Sequence, residues 1–248
     1  IPLNRWNTDE CDPALNASRY GSFVHDLELF DQSFFKLSDV EVNTMDPNHR
    51  ILLETVTKSL YDSGETKESL DGSMTGVWVA LSNVDYEFVP GAGFQSCQNV
   101  YGATGSATSV ASGRISYLLG LHGPSLVVDS ACSSSLVALN QASTALQQYA
   151  CDKAVVAGVN IMLAPYISLA YAKAGMLSPD GICHTFDESA NGYCRGEGCA
   201  SLVLKRLSDA LHDGDRIYSL LRGSAVMQDG KSASLTAPNG LAQQYLLR

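Results

Sequence analysis

The chain has 248 residues, 45% hydrophobic and 17% charged, enough apolar length for a sizeable core in one large domain or two small ones. Its net charge of −10 argues against a nucleic-acid footprint, which needs a basic face; residues 1–90 hold 16 acidic and 6 basic side chains, and this acidity reads as solvated surface rather than as a partner site. No apolar run reaches the length of about 18–20 residues that spans a bilayer, and the opening IPLNRWNTDE lacks the basic and apolar regions of a secretory signal, so a soluble intracellular, cytoplasmic protein is expected.

Residues 1–45 are polar and irregular, with aromatic residues at Trp6, Tyr20, Phe23, Phe30, Phe34 and Phe35; such a segment suits wrapping over a core. Asp46 opens a helix with Pro47 in its first turn, Ile51, Leu52, Val56 and Leu60 on its apolar face, and Gly64 at its end. Residues 75–81, TGVWVAL, form a buried strand by their β-branched and aromatic content. Residues 85–105 are loop-like, with Pro90, Gly91, Gly93, Gly102 and Gly105. The run YGATGSATSVASGR at 101–114 resembles a phosphate-cradling loop in composition but lacks both the G-x-x-x-x-G-K-[ST] and the G-x-G-x-x-G spacing. It reads better as a loop entering a helix of small residues that lets another backbone approach closely, with Ile115, Leu118 and Leu119 closing that helix before Gly120.

Residues 124–139, PSLVVDSACSSSLVAL, combine three signals. Residues 125–129 are a short apolar strand, Ser130-Ala131-Cys132 form a bend, and Leu136, Leu139, Ala142 and Leu146 recur at helical spacing. Residues 154–163, AVVAGVNIML, suit a strand covered on both faces. Residues 178–198 are a long polar loop with four glycines, of the kind that is usually functional or mobile. A strand at 200–204, a turn at 209–215, a strand at 217–226 and a helix starting at Leu241 complete an α/β pattern.

Cys132 stands at the strand-to-helix bend. Free amides at a helix N-terminus and the positive end of its dipole favour a thiolate there, which makes a nucleophile of Cys132; the competing reading is a buried cysteine acting as a small hydrophobe. The other six cysteines, Cys11, Cys97, Cys151, Cys183, Cys194 and Cys199, are read as structural. The odd total and the missing secretory signal speak against a full disulfide framework, and no zinc-type spacing occurs. Asp129 could be mistaken for a triad acid, but a carboxylate so near Cys132 would oppose thiolate formation, and a capping or backbone-bonding role fits better. Arg195 and Glu197 read as a structural ion pair, with placement of a carrier or substrate as the other role for Arg195.

Several blocks together closely resemble the β-ketoacyl synthases, specifically the ketosynthase domains of modular-type polyketide synthases. They are GPSLVVDSACSSSLVAL at 123–139, MDPNHRILLE at 45–54, TGSATSVASGRISYLLGL at 104–121, AGMLSPDG at 174–181, TFDESANGYCRGEG at 185–198, LVLKRLSDALHDGDRI at 202–217 and RGSAVMQDGKSASLTAPNG at 222–240. The resemblance implies a thiolase-like α/β fold, layered α-β-α-β-α from two similar halves, of which residues 1–248 are an incomplete N-terminal half. It implies that an apolar first strand ahead of Arg5-Trp6, a central sheet element, lies outside the chain. So do the family's two catalytic histidines, its lysine and a glycine-phenylalanine segment that gives one oxyanion amide. His25, His49, His122, His184 and His212 match none of the histidine blocks and are read as surface or loop residues.

The implied reaction is acyl transfer to Cys132 followed by decarboxylative Claisen condensation with a malonyl-type carrier thioester, in polyketide or fatty-acid biosynthesis. Cys132 would supply the nucleophile and one oxyanion backbone amide. The implied partners are an acyl carrier protein bearing phosphopantetheine, acyl and malonyl-type thioesters, and a second subunit in a homodimer, with residues 101–106 near that subunit and the acyl pocket. No cofactor is bound directly and no metal or nucleotide is expected. The chain alone is not expected to condense. A non-elongating relative that binds or passes on acyl chains also fits Cys132. A cysteine hydrolase would want a G-x-C-x-G elbow, which Ser130 and Ser134 do not provide. A purely structural partner subunit would lack the cysteine.

Overall fold

The computed structural model describes residues 1–2, 5–6, 18–90, 92 and 99–248. Four strands form one mixed sheet: β1 (Thr75–Ala80), β2 (Ser125–Val128), β3 (Lys153–Asn160) and β4 (Gly198–Lys205), in the order β2-β1-β3-β4. β1 runs parallel to β2 and β3, whereas β4 is antiparallel to β3. Because β1 pairs directly with both β2 and β3, the sheet centre has no gap. The expectation that a central element is lost is therefore corrected; a further strand can join only at the β2 or β4 edge.

Side chains alternate across this sheet and create two cores. Val77, Val79, Val155, Ala157 and Val159 face one side, where they meet Leu52, Leu53, Val56 and Leu60 of the Pro47–Asp62 helix and Ile115 and Leu119 of the Val110–Leu119 helix. Trp78, Ala154 and Val156 face the other side, against Ala138, Ala142 and Leu146 of the Ser134–Gln147 helix. The result is a helix–sheet–helix sandwich in which β1 is buried along its whole length.

Local chemistry accounts for the helix ends. Asp46 caps the Pro47–Asp62 helix by accepting the Asn48 amide at 2.7 Å, with Pro47 at the position where its missing N–H costs nothing. The small-residue run at 101–114 does allow a close approach. Gly105 ends the short Gly102–Gly105 helix, its carbonyl accepts the Asp46 amide at 2.9 Å, and a Cβ there would meet the Thr44 carbonyl oxygen at 2.4 Å.

Four expectations fail for identifiable reasons. Residues 209–215 are not merely a turn: Leu207–Asp213 is a helix, and Gly214, at φ +73°, is its cap. Residues 217–226 form no strand. They are exposed and irregular, and strand propensity acts only where a pleated surface has something to pack against. The strand expected over 154–163 stops at Asn160 because carboxylates take the next amides: Glu197 accepts Met162, and Asp85 accepts Leu163 and Ala164. Within residues 1–45, Gln32–Phe35 and Asp39–Thr44 are short helices, and Phe35 and Val42 reach the core.

Candidate active site

The bend between β2 and the Ser134–Gln147 helix presents Cys132 to solvent. The competing reading of a buried hydrophobe therefore fails. Ala131, just before it, has φ +56°, a left-handed conformation that is costly for a residue with a side chain. Hydroxyls and one carboxylate hold this bend. Ser134 Oγ accepts the Ser130 amide at 2.8 Å and donates to the Ala131 carbonyl at 2.6 Å. Ser133 Oγ donates to the Ser130 carbonyl at 2.8 Å. Asp129 accepts the Ala131 amide at 3.0 Å and the Ser82 hydroxyl at 2.5 Å, and these bonds, Ser82 first, hold its carboxyl below the usual range. Asp129 is thus a backbone-bonding residue, as expected, and not a triad acid.

The Ser130–Ser134 network is the part that sequence reading missed. The signal was present in the hydroxyl run Ser133-Ser134-Ser135, since serines near a helix start readily bond local backbone.

The loop after the Tyr166–Lys173 helix carries Tyr193 and Arg195. Burial pushes the Tyr193 phenol up, against the opposing pull of the Arg195 cation. Arg195 is buried, donates to Ser168 Oγ at 2.9 Å and lies over the Tyr171 ring at 5.4 Å. Its expected ion pair with Glu197 does not form. The two oxygens of Glu197 are used elsewhere: Oε2 meets Arg5 at 3.1 Å and the Val24 amide at 2.8 Å, and Oε1 accepts the Met162 amide at 2.8 Å. These partners are remote in sequence and outweigh the adjacent arginine.

Four histidines are surface or loop residues as expected, but His49 is buried in the first turn of the Pro47–Asp62 helix. Burial, and then the Arg114 cation, lower its pKa to about 4. Among the other cysteines, Cys151 is buried and Cys199 half-buried, its thiol pushed up to about 11 by burial. Cys183 is exposed, so a purely structural packing role for it fails. Cys11 and Cys97 lie outside the described residues. Residues 101–106 carry Tyr101 and the short Gly102–Gly105 helix, and Arg114 donates to the Thr104 carbonyl at 3.1 Å. Among the described residues no group of acidic, histidine and cysteine side chains is arranged to hold a metal, and no helix is long and apolar enough to cross a membrane.

Residues 1–210 match the family model described as beta-ketoacyl synthase, N-terminal domain. The whole chain aligns at 44% identity with a phenolphthiocerol/phthiocerol polyketide synthase of Mycobacterium bovis, and at 42% with a mycocerosic acid synthase-like polyketide synthase of Mycolicibacterium smegmatis. It spans only 14% and 12% of those proteins. Among solved structures it is similar over its full length to the ketosynthase from module 6 of the bacillaene synthase of Bacillus subtilis 168, with a TM-score of 0.89, 38% identity and 41% of that chain covered. It is also similar to an oxazolomycin ketosynthase domain of Streptomyces albus JA3453, with a TM-score of 0.87, 33% identity and 43% covered. The fold is therefore the thiolase-like α/β fold that the sequence resemblance implied.

Proposed function

From the premise that the chain belongs to the family of β-ketoacyl synthase N-terminal domains, we propose that residues 1–248 are the N-terminal part of a ketosynthase domain, an acyltransferase of the 3-oxoacyl synthase class, serving polyketide or fatty-acid biosynthesis. Cys132 is its acyl-accepting nucleophile. The observation that carries this reading is the exposed thiol at a strained strand-to-helix bend, immediately after Ala131 at φ +56°.

In this reading the Cys132 sulfur attacks the carbonyl carbon of an acyl thioester presented on the phosphopantetheine arm of an acyl carrier protein. The tetrahedral oxyanion collapses, the carrier thiol leaves, and the acyl chain remains on Cys132. The Cys132 amide lies two residues ahead of the Ser134–Gln147 helix, and in this reading it supports the oxyanion. A malonyl-type thioester then loses carbon dioxide, and the resulting enolate carbon attacks the Cys132 thioester, forming the new carbon–carbon bond and releasing the cysteine.

The two histidines that the resemblance assigns to decarboxylation, and the family's catalytic-site lysine, have no counterpart in these 248 residues. The second oxyanion amide, the carrier protein and the partner subunit of a homodimer likewise belong to the whole enzyme. The chain by itself is expected to load an acyl group without extending it.

The test incubates the purified chain with acyl and malonyl carrier proteins. Intact mass should show one acyl group on the wild type and none on Cys132→Ala, with no β-ketoacyl product from either. Equal loading of Cys132→Ala overturns the assignment of the nucleophile.

A further inference from the structure

A second thiol centre lies on the 178–198 loop. The Cys194 amide donates to Cys183 Sγ at 3.2 Å, and the Cys183 thiol lies 3.9 Å from the Cys194 carbonyl oxygen. Cys194 Cα is one bond, about 1.5 Å, beyond that nitrogen, so the Cys194 side chain springs from backbone already in contact with the Cys183 sulfur. Disulfides form across Cα separations of about 4.4–6.8 Å, and the 3.2 Å contact between the Cys194 amide and Cys183 Sγ holds the two residues as close neighbours. At present Cys194 Sγ turns towards the Arg195 carbonyl at 3.7 Å.

The approach is built into the loop. Leu177 pairs with Tyr193, the Ser178 amide donates to the Tyr193 carbonyl at 3.0 Å, and the Tyr193 amide donates to the Met176 carbonyl at 3.1 Å. These bonds fix Cys194 beside the segment that carries Cys183. Cys183 is exposed to an oxidant, and Cys194 is half-buried. An exposed thiol with a second cysteine in reach is the arrangement that oxidises reversibly.

We propose that Cys183 and Cys194 form a reversible oxidation site, a dithiol that closes to a disulfide when it meets a hydroperoxide. The Cys183 sulfur attacks one peroxide oxygen; an S–O bond forms, the O–O bond breaks, and the departing hydroxide takes a proton and leaves as water. The Cys194 sulfur then attacks the sulfenic sulfur; the S–S bond forms and the S–O bond breaks, releasing a second water. The dithiol loses two electrons and two protons, and hydrogen peroxide becomes two waters. The bridge staples the loop that carries Tyr193.

The full chain is treated with hydrogen peroxide, free thiols are blocked with iodoacetamide, and unreduced peptides are analysed by mass. The expected product joins the Cys183 and Cys194 peptides at about 2 Da below their summed mass and is reversed by dithiothreitol. In Cys194→Ser, Cys183 should instead be trapped as a dimedone-reactive sulfenic acid. Wild-type Cys183 joined to another cysteine, or halted at an oxyacid while Cys194 stays alkylatable, overturns the proposal.

Discussion

Ser134 closes the bend that carries Cys132 by donating its hydroxyl to the Ala131 carbonyl at 2.6 Å while accepting the Ser130 amide at 2.8 Å. One buried hydroxyl on the first turn of the helix thus ties down two backbone groups of a strained segment. Ser134→Ala removes both bonds and should destabilise the chain by about 1–3 kcal/mol, the cost of leaving buried polar groups unmade. Urea unfolding measures that cost. Acyl loading on Cys132 should slow in the still-folded variant, whereas an unchanged loading rate would show that the clamp does not position the thiol.

Glu197 is a hub rather than half of a local ion pair. Its carboxylate bonds Arg5, Val24 and Met162, and both its side chain and that of Arg5 are almost fully enclosed. Glu197→Gln leaves the Arg5 cation without its charge partner, and breaking a buried pair in this way costs about 3–5 kcal/mol. The denaturation midpoint should fall accordingly. Glu188→Gln, on the exposed part of the same loop, should leave it unchanged.

Two buried groups at one helix start should give opposite pH slopes. His49 titrates at about 4 in the fold, mainly through burial, against 6.5 in the unfolded chain. Below pH 6.5 the unfolded chain binds the extra proton, so His49 contributes stability that is lost as pH falls from 6.5 towards 4. Asp46 titrates at about 6, again mainly through burial, against an ordinary 3.8. Here the fold holds the extra proton, so the contribution of Asp46 is lost as pH rises from 3.8 through 6. Each effect amounts to up to about 3 kcal/mol. His49→Gln should flatten the acid-side loss. Asp46→Asn, which keeps an oxygen for the Asn48 amide, should gain stability relative to wild type at pH 8 but not at pH 4. Parallel stability–pH curves for both variants and wild type would contradict this pairing.

What the sequence made legible was local. The strand, bend and helix around Cys132 are encoded within about twenty residues, and the Asp46–Pro47 helix start and the Gly120 stop are short-range chemistry. What it hid depended on distant partners. Glu197 lies two residues from Arg195 but is claimed by Arg5, Val24 and Met162. The burial of His49 depends on packing by other elements, the Val110–Leu119 helix among them, and the Arg114 cation of that helix adds to the lowering of its pKa. The apolar content of residues 217–226 resembles a strand, yet a strand needs an edge and a covered face, and that segment stays exposed. The approach of Cys183 to Cys194 is likewise set by a loop closure that spacing alone does not reveal.

Cys132 and Cys183 are both exposed thiols, so the nucleophile is identified by which of them accepts an acyl group. The direct measurement is peptide mapping by mass spectrometry after the reduced chain meets a limiting acyl thioester. The acyl mass is expected on the peptide containing Cys132, with Cys183 still free. Acylation of Cys183, or label spread evenly over the exposed cysteines, would contradict it.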